Sequence, residues 1–417
     1  MIFKMAFRNI FRHKRRTIIS ILTIAVGIGF YIMTDSILNG IDRLLIEAVV
    51  NFSDSPIVIY SQEYDKNRRG YPLDKGITNY VELENILSSI RGIEGITYRT
   101  SFIGEVIFGE RSKYIVGTVI DTTKDESVFE IKKHISGSYL KNIGEVLIGK
   151  DLARKMSVSI GDYITISVRT VGGMYNALDF KIVGLVESPN SVLNENGVII
   201  SYESANELLK LNNTKTSTHI KVQWIRGEKT DGYLERVEEI ANKIRNELKD
   251  YAIYTVSDLY KDFLLFVEQR RIISYIITLL VLLIAGVGIT NNVLMSVYER
   301  IKEIGILMSM GLSPKAVRRL FILEGMFIGI LGGIAGMVVG TLLDIFIIYV
   351  GIDLKSLFSD ISGSQLGFPV WGIIYGEWNL QAFVIGFAFA VFTSIIFAYI
   401  PARYASKLKV TECLKFV

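Results

Sequence analysis

Residues 291–307 read Asn-Asn-Val-Leu-Met-Ser-Val-Tyr-Glu-Arg-Ile-Lys-Glu-Ile-Gly-Ile-Leu. The first part of this stretch ends a segment that has carried no charge since Arg271, and the second part is a compact charged cluster that begins at Glu299. A helix that leaves the apolar layer of a membrane and enters water has this pattern. The stretch therefore predicts a membrane span that is followed at once by a short helix at the cytoplasmic surface.

The apolar residues of the chain are concentrated in a few segments. Half of the 417 residues are hydrophobic, yet 21% are charged, a mixture that fits neither a purely soluble protein nor a fully embedded one. Crossing an apolar layer of about 30 Å takes a helix of roughly 20 residues. Four uncharged segments are long enough, and they predict spans at 17–39, 271–297, 320–349 and 379–401.

Basic residues in the short flanking segments predict the orientation of these spans. The segments 1–16, 298–319 and 402–417 are rich in Lys and Arg, whereas the connection 350–378 has Lys355 as its only basic residue. We therefore expect both termini and the segment 298–319 in the cytoplasm, and residues 40–270 outside. The net charge of +4 is explained by the basic flanks, so we expect no nucleic-acid partner.

The N-terminal segment 1–16 has the spacing of an amphipathic helix lying on the inner leaflet, although a merely basic tail is the alternative. The run after it is longer than a signal-peptide core and no small-x-small cleavage site follows, so we expect an uncleaved anchor. The apolar face is predicted to hold Ile2, Phe7, Ile10 and Phe11, and the basic face Lys4, Arg8, Arg12 and Arg15.

The outer segment 40–270 has the pattern of a mixed α and β domain, large enough to bury its own core and to form two subdomains. The one cysteine of the chain, Cys413, lies in the inner tail, so we expect no disulfide in this domain. The predicted strands are 56–60, 96–108, 113–120, 145–148, 163–169, 180–187, 197–200 and 218–224. The predicted helices are 79–91, 150–156, 202–211 and 231–249.

The third span is rich in glycine. Small residues four apart let helix backbones approach closely within a membrane, and two such registers predict contact with more than one neighbouring helix. The alternative is the ordinary glycine enrichment of membrane spans. One register holds Gly325, Gly329 and Gly333, and the other holds Gly332, Gly336 and Gly340.

No catalytic or metal-binding pattern stands out. Residues 144–150 resemble a phosphate-binding loop, but Asp151 stands where a Ser or Thr hydroxyl should reach Mg²⁺, and the stretch has the pattern of a strand. The histidines His13, His134 and His219 fall in separate segments without ligand spacing. We therefore expect no enzymatic site, metal or cofactor in this chain.

Three carboxylates lie near predicted span ends, where an ionisable residue deserves a functional hypothesis. We interpret Asp35 and Asp344 as boundary residues that reach headgroup water. The role of Glu324 stays open, because it begins the glycine-rich span and could bond to the helix that precedes it.

The short helix after the second span has charged and apolar faces. Charge pairs such as Glu299 with Lys302 contribute only about 0.2–0.5 kcal/mol each, so a solvated helix is one interpretation. The alternative is a helix that docks in a partner's groove, because apolar side chains and bare glycine backbone follow the charges. These residues are Ile304, Gly305, Ile306, Leu307, Met308, Met310 and Gly311.

Four parts of the chain resemble the ABC transporter permeases of the MacB/FtsX/LolC-LolE superfamily, most of all the lipoprotein-releasing LolC and LolE. The first is 299–307 with Gly311 and Phe321-Ile322-Leu323-Glu324-Gly325. The others are Ala6-Phe7-Arg8-Asn9-Ile10 with Arg15-Arg16-Thr17, the outer segments 146–153, 161–163 and 180–184, and Pro401-Ala402-Arg403-Tyr404-Ala405.

The resemblance implies an α-helical membrane protein with four transmembrane helices and a large α+β extracytoplasmic domain inserted between helices 1 and 2. That domain would combine a porter-like part (45–120 and 216–262) with a β-rich part (121–215). The chain would be a permease subunit of a bacterial inner membrane that works by mechanotransmission. Its implied partners are a separate cytoplasmic ATPase dimer that binds ATP and Mg, a second permease subunit, an acylated protein substrate and a periplasmic carrier.

The helix at 298–313 would be the coupling helix, with Glu299, Arg300, Glu303, Ile304, Gly305 and Gly311 as coupling positions. Met308 and Ser309 stand where relatives usually have a basic residue followed by alanine, which puts the charge contact with the ATPase in doubt. A MacB-like efflux or defence permease, or an FtsX-like regulator of a cell-wall hydrolase, are the alternative functions.

Overall fold

The computed structural model describes residues 2–10, 12, 14–211, 214–225, 227–353, 373–410 and 413. Some predicted features lie outside these residues: Phe11 of the N-terminal helix, His13, most of the connection 350–378 and most of the tail beyond residue 410.

The described helices, in chain order, are α1 (Ile2–Ile10), α2 (Lys14–Phe52), α3 (Gln62–Lys66), α4 (Tyr80–Ser88), α5 (Lys150–Met156), α6 (Ser191–Asn196), α7 (Tyr202–Leu209), α8 (Thr230–Glu247), α9 (Val256–Leu259), α10 (Lys261–Glu299), α11 (Ile301–Ser309), α12 (Pro314–Val350) and α13 (Leu380–Ala405). Short 3₁₀ turns lie at Arg68–Gly70, Asp125–Ser127 and Ile131–His134.

The described strands are β1 (Ile57–Ser61), β2 (Ile93–Phe108), β3 (Arg111–Ile120), β4 (Ile135–Gly137), β5 (Glu145–Gly149), β6 (Tyr163–Arg169), β7 (Tyr175–Val186), β8 (Gly197–Ser201), β9 (Ser217–Val222), β10 (Tyr251–Thr255), β11 (Ile352–Asp353) and β12 (Ile373–Ile374).

The chain divides into two compact units. The first contains Met1–Ile41, Phe266–Asp353 and Ile373–Val417, and the second contains Asp42–Leu265. Helices α2, α12, α13 and the Tyr275–Glu299 part of α10 are long and apolar enough to cross a membrane. The protein therefore has four candidate transmembrane helices and, between the first and second of them, a large mixed α and β domain.

Helix α12 packs against α13 through one of its glycine registers. A Cβ atom added at Gly329 would lie 2.6 Å from Ser394 Oγ, and one at Gly333 would lie 2.9 Å from Phe387 Cδ2. The partner numbers fall as the glycine numbers rise, so the two helices are antiparallel. Gly325 continues the series against Ala398.

The second glycine register of α12 packs against α2. Added Cβ atoms would lie 2.8, 2.6 and 2.9 Å from three isoleucine Cβ atoms, which are closer than real side chains approach. Here both sets of numbers rise together, so α2 and α12 are parallel and stay in step every four residues. The pairs are Gly332 with Ile24, Gly336 with Ile28, and Gly340 with Ile32.

The two aspartates near the ends of the membrane spans have different environments in the structure. Asp35 Oδ2 accepts hydrogen bonds from Asn39 Nδ2 at 2.9 Å and Asn379 Nδ2 at 2.7 Å. Asp344, in contrast, is only 1% exposed, so the prediction that it is a boundary residue reaching headgroup water is wrong. The reason is the parallel seam, which brings α2 against that face of α12.

The second unit is built on one ten-stranded sheet with the order β10-β1-β9-β2-β3-β8-β5-β7-β4, and β6 pairs with β2 and β7. Strands β3 with β8 and β5 with β7 are parallel, and the other pairs are antiparallel. The long β2 and β3 form a hairpin whose two-residue turn begins at Gly109, where φ is +58° and glycine is favoured.

Separate hydrophobic clusters cover the two ends of this sheet. At the β10-β1-β9 end, α8 buries Val237, Ala241 and Ile244 at helical spacing against Ile57 and Ile220. Burying one such side chain stabilises the fold by about 1.5–3 kcal/mol. At the other end a second cluster contains Phe102, Val106, Ile148, Ile166, Phe180 and Leu208. Phe102 and Val106 belong to the predicted porter-like part, so the second core is shared by both predicted parts, as is the sheet.

Most predicted elements of the outer domain occur within a few residues of their expected ends. The short β4, β10, α3, α6 and α9 are missing from the prediction, because three to six residues give too little periodicity. The residues that resemble a phosphate-binding loop form β5 and the beginning of α5. Lys150 Nζ lies 2.6 Å from Glu187 Oε2.

A buried ion pair lies inside the second unit. Arg99 Nε and Nη2 donate to Asp125 Oδ1 at 2.8 Å and Oδ2 at 2.9 Å, and both side chains are almost fully buried. The guanidinium also stacks over Phe129, with 3.2 Å between Arg99 Cζ and the ring centroid. The two charges compensate each other through two hydrogen bonds, so the pair depends on both residues.

We expect Asp125→Asn to destabilise the outer domain by about 3–5 kcal/mol, because the buried charge of Arg99 loses the carboxylate that binds it at two atoms. The matched control is Glu126→Gln, whose exposed pair with Lys132 contributes at most about 1 kcal/mol. Thermal unfolding of the full-length protein in detergent, followed by circular dichroism, compares the two. Equal melting temperatures for both variants would contradict this reading of the ion pair.

Candidate functional site: the junction around helix α11

Helix α11 lies between two sharp changes of chain direction. Helix α10 ends at Glu299, Arg300 leaves the helical conformation with φ −117°, and α11 begins at Ile301. After α11, Gly311 adopts φ +96°, a conformation that favours glycine. Ser313 then caps α12, because its Oγ accepts from the backbone N of Ala316 at 3.3 Å, and Pro314 occupies the first turn.

One face of α11 is buried in the first unit. Ile304 belongs to a cluster with Val317, Phe321 and Ala402. Gly305 is buried because Cys413 packs against it: an added Cβ would lie 2.6 Å from Cys413 Cβ. The buried residues of α11 are Ile301, Ile304 and Gly305.

The opposite face of α11 is exposed. Lys302, Ile306 and Met310 are four residues apart and therefore share one face, with Ile306 49% and Met310 79% exposed. Large apolar side chains at this exposure indicate a contact surface when they line one face of a helix. We call Lys302, Ile306 and Met310 the exposed stripe of α11.

A buried ion pair joins α11 to α12. Arg300 Nη1 donates to Glu324 Oε1 at 2.9 Å, and the two side chains are 6% and 7% exposed. Asn9 Nδ2 of α1 donates to the same carboxylate oxygen at 2.6 Å. Glu324 therefore holds together the end of α10, the beginning of α12 and the N-terminal helix.

Two further ion pairs connect α11 and the end of α10 with the N-terminal segment. Arg12 Nη1 lies 2.7 Å from Glu303 Oε1, and Arg16 Nη2 lies 2.9 Å from Glu299 Oε1. Arg300 Nε also donates to Glu303 Oε2 at 3.0 Å. The more exposed pairs contribute about 0.2–1 kcal/mol each, whereas removal of one partner of the buried pair leaves an uncompensated charge, so the junction is most sensitive to single changes at Arg300 and Glu324.

Glu303 keeps its charge over a wide pH range. Burial opposes ionisation, but the hydrogen bonds and charges of Arg300 and Arg12 outweigh it and lower the pKa of Glu303 below its ordinary value of 4.5. A carboxylate whose pKa is lowered on folding loses its stabilising contribution only as the pH falls through that lowered value. The bridge between Arg12 and Glu303 therefore persists at neutral pH.

Helix α1 packs on α12 through Ala6 and Ile10. Both residues are buried and form a cluster with Leu320 and Phe327. Phe7, which was predicted on the apolar face together with Ile10, is 46% exposed and meets the Phe327 ring edge-on at 5.4 Å between centroids. The contact of this apolar face with the inner leaflet stays a prediction.

The predicted coupling positions thus divide into two groups. Arg300, Ile304 and Gly305 are buried against their own chain and position α11, and their role in coupling stays a prediction. Glu299 and Glu303 bind arginines of the N-terminal segment, and Gly311 supplies the turn.

Sequence reasoning missed Asn9, Arg12 and Arg16 as members of the junction, and it left Glu324 open. Asn9, Arg16 and Glu324 lie in motifs that carry the resemblance, whereas Arg12 lies outside them. The junction contains no catalytic arrangement, and among the described residues no group of three or more His, Cys, Asp or Glu side chains could hold a metal ion.

Two family models match this chain. The family described as MacB-like periplasmic core domain matches residues 17–240, and the family described as FtsX-like permease C-terminal matches residues 275–410. An uncharacterized ABC transporter permease of Methanocaldococcus jannaschii is 23% identical over 98% of this chain and 96% of its own length.

The names of two further relatives state what those proteins transport. The macrolide export ATP-binding/permease protein MacB of Wolinella succinogenes is 24% identical over 97% of this chain, which spans 59% of that protein. The lipoprotein-releasing system transmembrane protein LolC of Buchnera aphidicola is 26% identical over 82% of each chain. Because the MacB-like match alone covers more than half of its residues, this chain belongs to the MacB/FtsX/LolC superfamily of ABC transporter permeases.

Proposed function

We propose that this chain is the membrane subunit that receives the motion of a separate cytoplasmic ATPase dimer at α11 and passes it to the outer domain. The observation that carries the proposal is the two-faced α11, which is fixed on one side by Arg300 and Glu324 and offers its exposed stripe on the other. The partner binds ATP and Mg, and this chain supplies the mechanical connection.

The proposed orientation puts the basic ends of the helices in the cytoplasm. The ion pairs of Arg16 with Glu299 and Arg300 with Glu324 bring the ends of α2, α10 and α12 together. The antiparallel α13 brings Arg403 to that same end. Basic residues at one end of a bundle favour the cytoplasmic side, which supports cytoplasmic termini and an outer domain on the far side.

A force that acts on α11 would be transmitted through the junction to two helices. Through Arg300 and Glu324 the displacement reaches α12, and through Glu303 with Arg12 and Glu299 with Arg16 it reaches the beginning of α2. Helices α2 and α12 are themselves locked by the glycine seam, so they move together. Motion at α11 is thereby converted into motion of a helix pair rather than of one span.

The proposed cargo is an amphiphile with an acyl chain, most simply an acylated protein taken from the outer leaflet of the membrane. An apolar groove of about 410 Å³ between α2 and α10 supports this choice, because it can hold a hydrocarbon chain. It is lined by Ile19, Leu22, Thr23, Val26, Gly27, Val281 and Ile284. A second permease subunit would close the open side, and a carrier outside the membrane would accept the cargo.

The first prediction concerns docking. Ile306→Asp combined with Met310→Asp should abolish co-purification with the ATPase, because two carboxylates replace the apolar side chains of the exposed stripe. Affinity purification of the tagged full-length chain with its ATPase measures the loss. The control is Tyr114→Asp, which changes an equally exposed residue of the outer domain and should leave binding intact. Undiminished ATPase recovery by the double variant would refute docking at α11.

The second prediction separates stability from coupling. Glu324→Gln should lower the melting temperature, because removing one partner of a buried ion pair costs about 3–5 kcal/mol. Replacing both partners, Arg300→Met with Glu324→Leu, should restore most of the stability because a well-packed apolar pair is often neutral or better.

The double variant should nevertheless transport less cargo per ATP hydrolysed, since α11 no longer pulls on α12 through a directional ion pair. Reconstituted vesicles that hold chain and ATPase give this ratio. Normal coupling in the stable double variant would show that the pair only supports folding.

The third prediction concerns cargo. A photo-crosslinking amino acid at Val26, in the groove, should capture acylated protein in native membranes, whereas the same group at the exposed Val338 of α12 should not. Mass spectrometry identifies what is captured. Recovery of non-acylated peptides or small amphiphiles would favour a MacB-like efflux function instead, and a cell-wall hydrolase bound to the outer domain would favour an FtsX-like regulator.

A further inference from the structure

The glycine seam between α2 and α12 continues one step beyond its last glycine. Gly332, Gly336 and Gly340 pair with Ile24, Ile28 and Ile32 at intervals of four residues on both helices. The next step pairs Asp344 of α12 with Ser36 of α2, and these two side chains are neighbours in the structure. The register that packs three glycines therefore forces a carboxyl group against a hydroxyl group.

This pair of side chains is sealed from solvent and lacks partners. Asp344 and Ser36 are each 1% exposed. The two side chains are adjacent, but among the described residues no hydrogen bond of ordinary distance and angle reaches Ser36 Oγ or either carboxyl oxygen of Asp344. An unpaired buried carboxylate is one of the most costly groups a protein interior can hold, and in practice such a group becomes neutral.

The described residues around Asp344 supply no compensating positive charge. Among the described residues it makes no ion pair, and the charged group that acts on it is Asp35, whose own oxygen is already bound by Asn39 and Asn379. A second carboxylate nearby disfavours a negative charge on Asp344 still further.

The segment between β12 and α13 covers the pair from the other side. A Cβ atom at Gly376 would lie 2.5 Å from Ser36 Oγ, and the backbone N of Glu377 donates to Ser36 O at 3.2 Å. This segment brings the titratable side chains of Tyr375 and Glu377 to the same end of the bundle, and neither is a cation. The absence of a side chain at Gly376 lets the segment close over Ser36.

We propose that Asp344 is a proton-binding site: its side chain is a neutral carboxylic acid whose O–H donates to Ser36 Oγ. The step is the addition of one proton from water to the carboxylate, with no other bond made or broken. The Ser36 hydroxyl can accept from the O–H of a protonated carboxyl group, whereas as the one neutral donor beside a buried carboxylate it would not offset the cost of the charge. A small metal cation fits less well, because it prefers about six oxygen ligands where this pair offers three atoms.

The site makes the packing of α2 on α12 depend on proton binding. In this arrangement the proton satisfies both side chains, and separation of the two helices would expose Asp344 to water and release the proton. This inference does not rest on the proposed transport function, because it follows from the packing of the two helices alone.

Infrared spectroscopy of the full-length protein in lipid nanodiscs tests the proposal directly. At neutral pH the protein should show the carbonyl-stretch band of a protonated carboxylic acid, and alkaline titration should remove it. Asp344→Asn should lack the band, whereas Asp35→Asn, the matched control on α2, should keep it. A wild-type protein without the band, or a band that survives in Asp344→Asn, would overturn the proposal.

Two further measurements keep the test decisive. Ser36→Ala removes the acceptor, so the acid band should remain but shift in frequency; an unshifted band would refute the hydrogen bond to Ser36. The wild-type melting temperature should fall as the pH rises, because the native state holds a proton that the unfolded chain gives up, and Asp344→Asn should lose this dependence. Carboxylate bands that respond to Na⁺ instead would assign the site to a metal cation and count against a proton.

Discussion

The ion pair between Arg300 and Glu324 is the constraint on which the first unit depends. It is buried, so its geometry is enforced far more strongly than that of the exposed pairs around it. Glu324 accepts from Asn9 as well, and Arg300 also bonds to Glu303. One carboxylate and one guanidinium thus fix four chain segments that are distant in sequence: α1, the end of α10, α11 and the beginning of α12.

This constraint explains why a helix as short as α11 can serve as a mechanical contact. Nine residues form a stable helix only when tertiary packing supports them. Ile304 in the apolar cluster and Arg300 at the junction provide that support, and they occupy the face that a partner cannot reach. The residues that hold α11 in place and the residues that a partner can touch are therefore different residues.

The sequence predicts the features that depend on local periodicity. The four apolar segments, the two glycine registers and most strands of the outer domain could be predicted because each depends on spacing within a few helical turns or along a strand. Gly329 and Gly336 lie on different faces of one helix, and that alone predicts two neighbours.

Long-range pairings could not be predicted in the same way. Asn9 and Glu324 are separated by 315 residues, and no local pattern connects them. Asp344 was misread because its position near the end of a span suggests access to water, whereas its burial depends on the parallel register of another helix.

The four-residue match between α2 and α12 also limits how these helices can slide. Each isoleucine of α2 rests on bare glycine backbone, so a displacement of half a turn would drive its branched side chain into the bulkier residues between the glycines. A displacement of four residues, about 6 Å, would place Ile28 on Gly332 and Ile32 on Gly336, but it would also bring Ile24 against Ile328. The seam therefore resists sliding of the two helices along their axes, so a force applied to one of them displaces both in register.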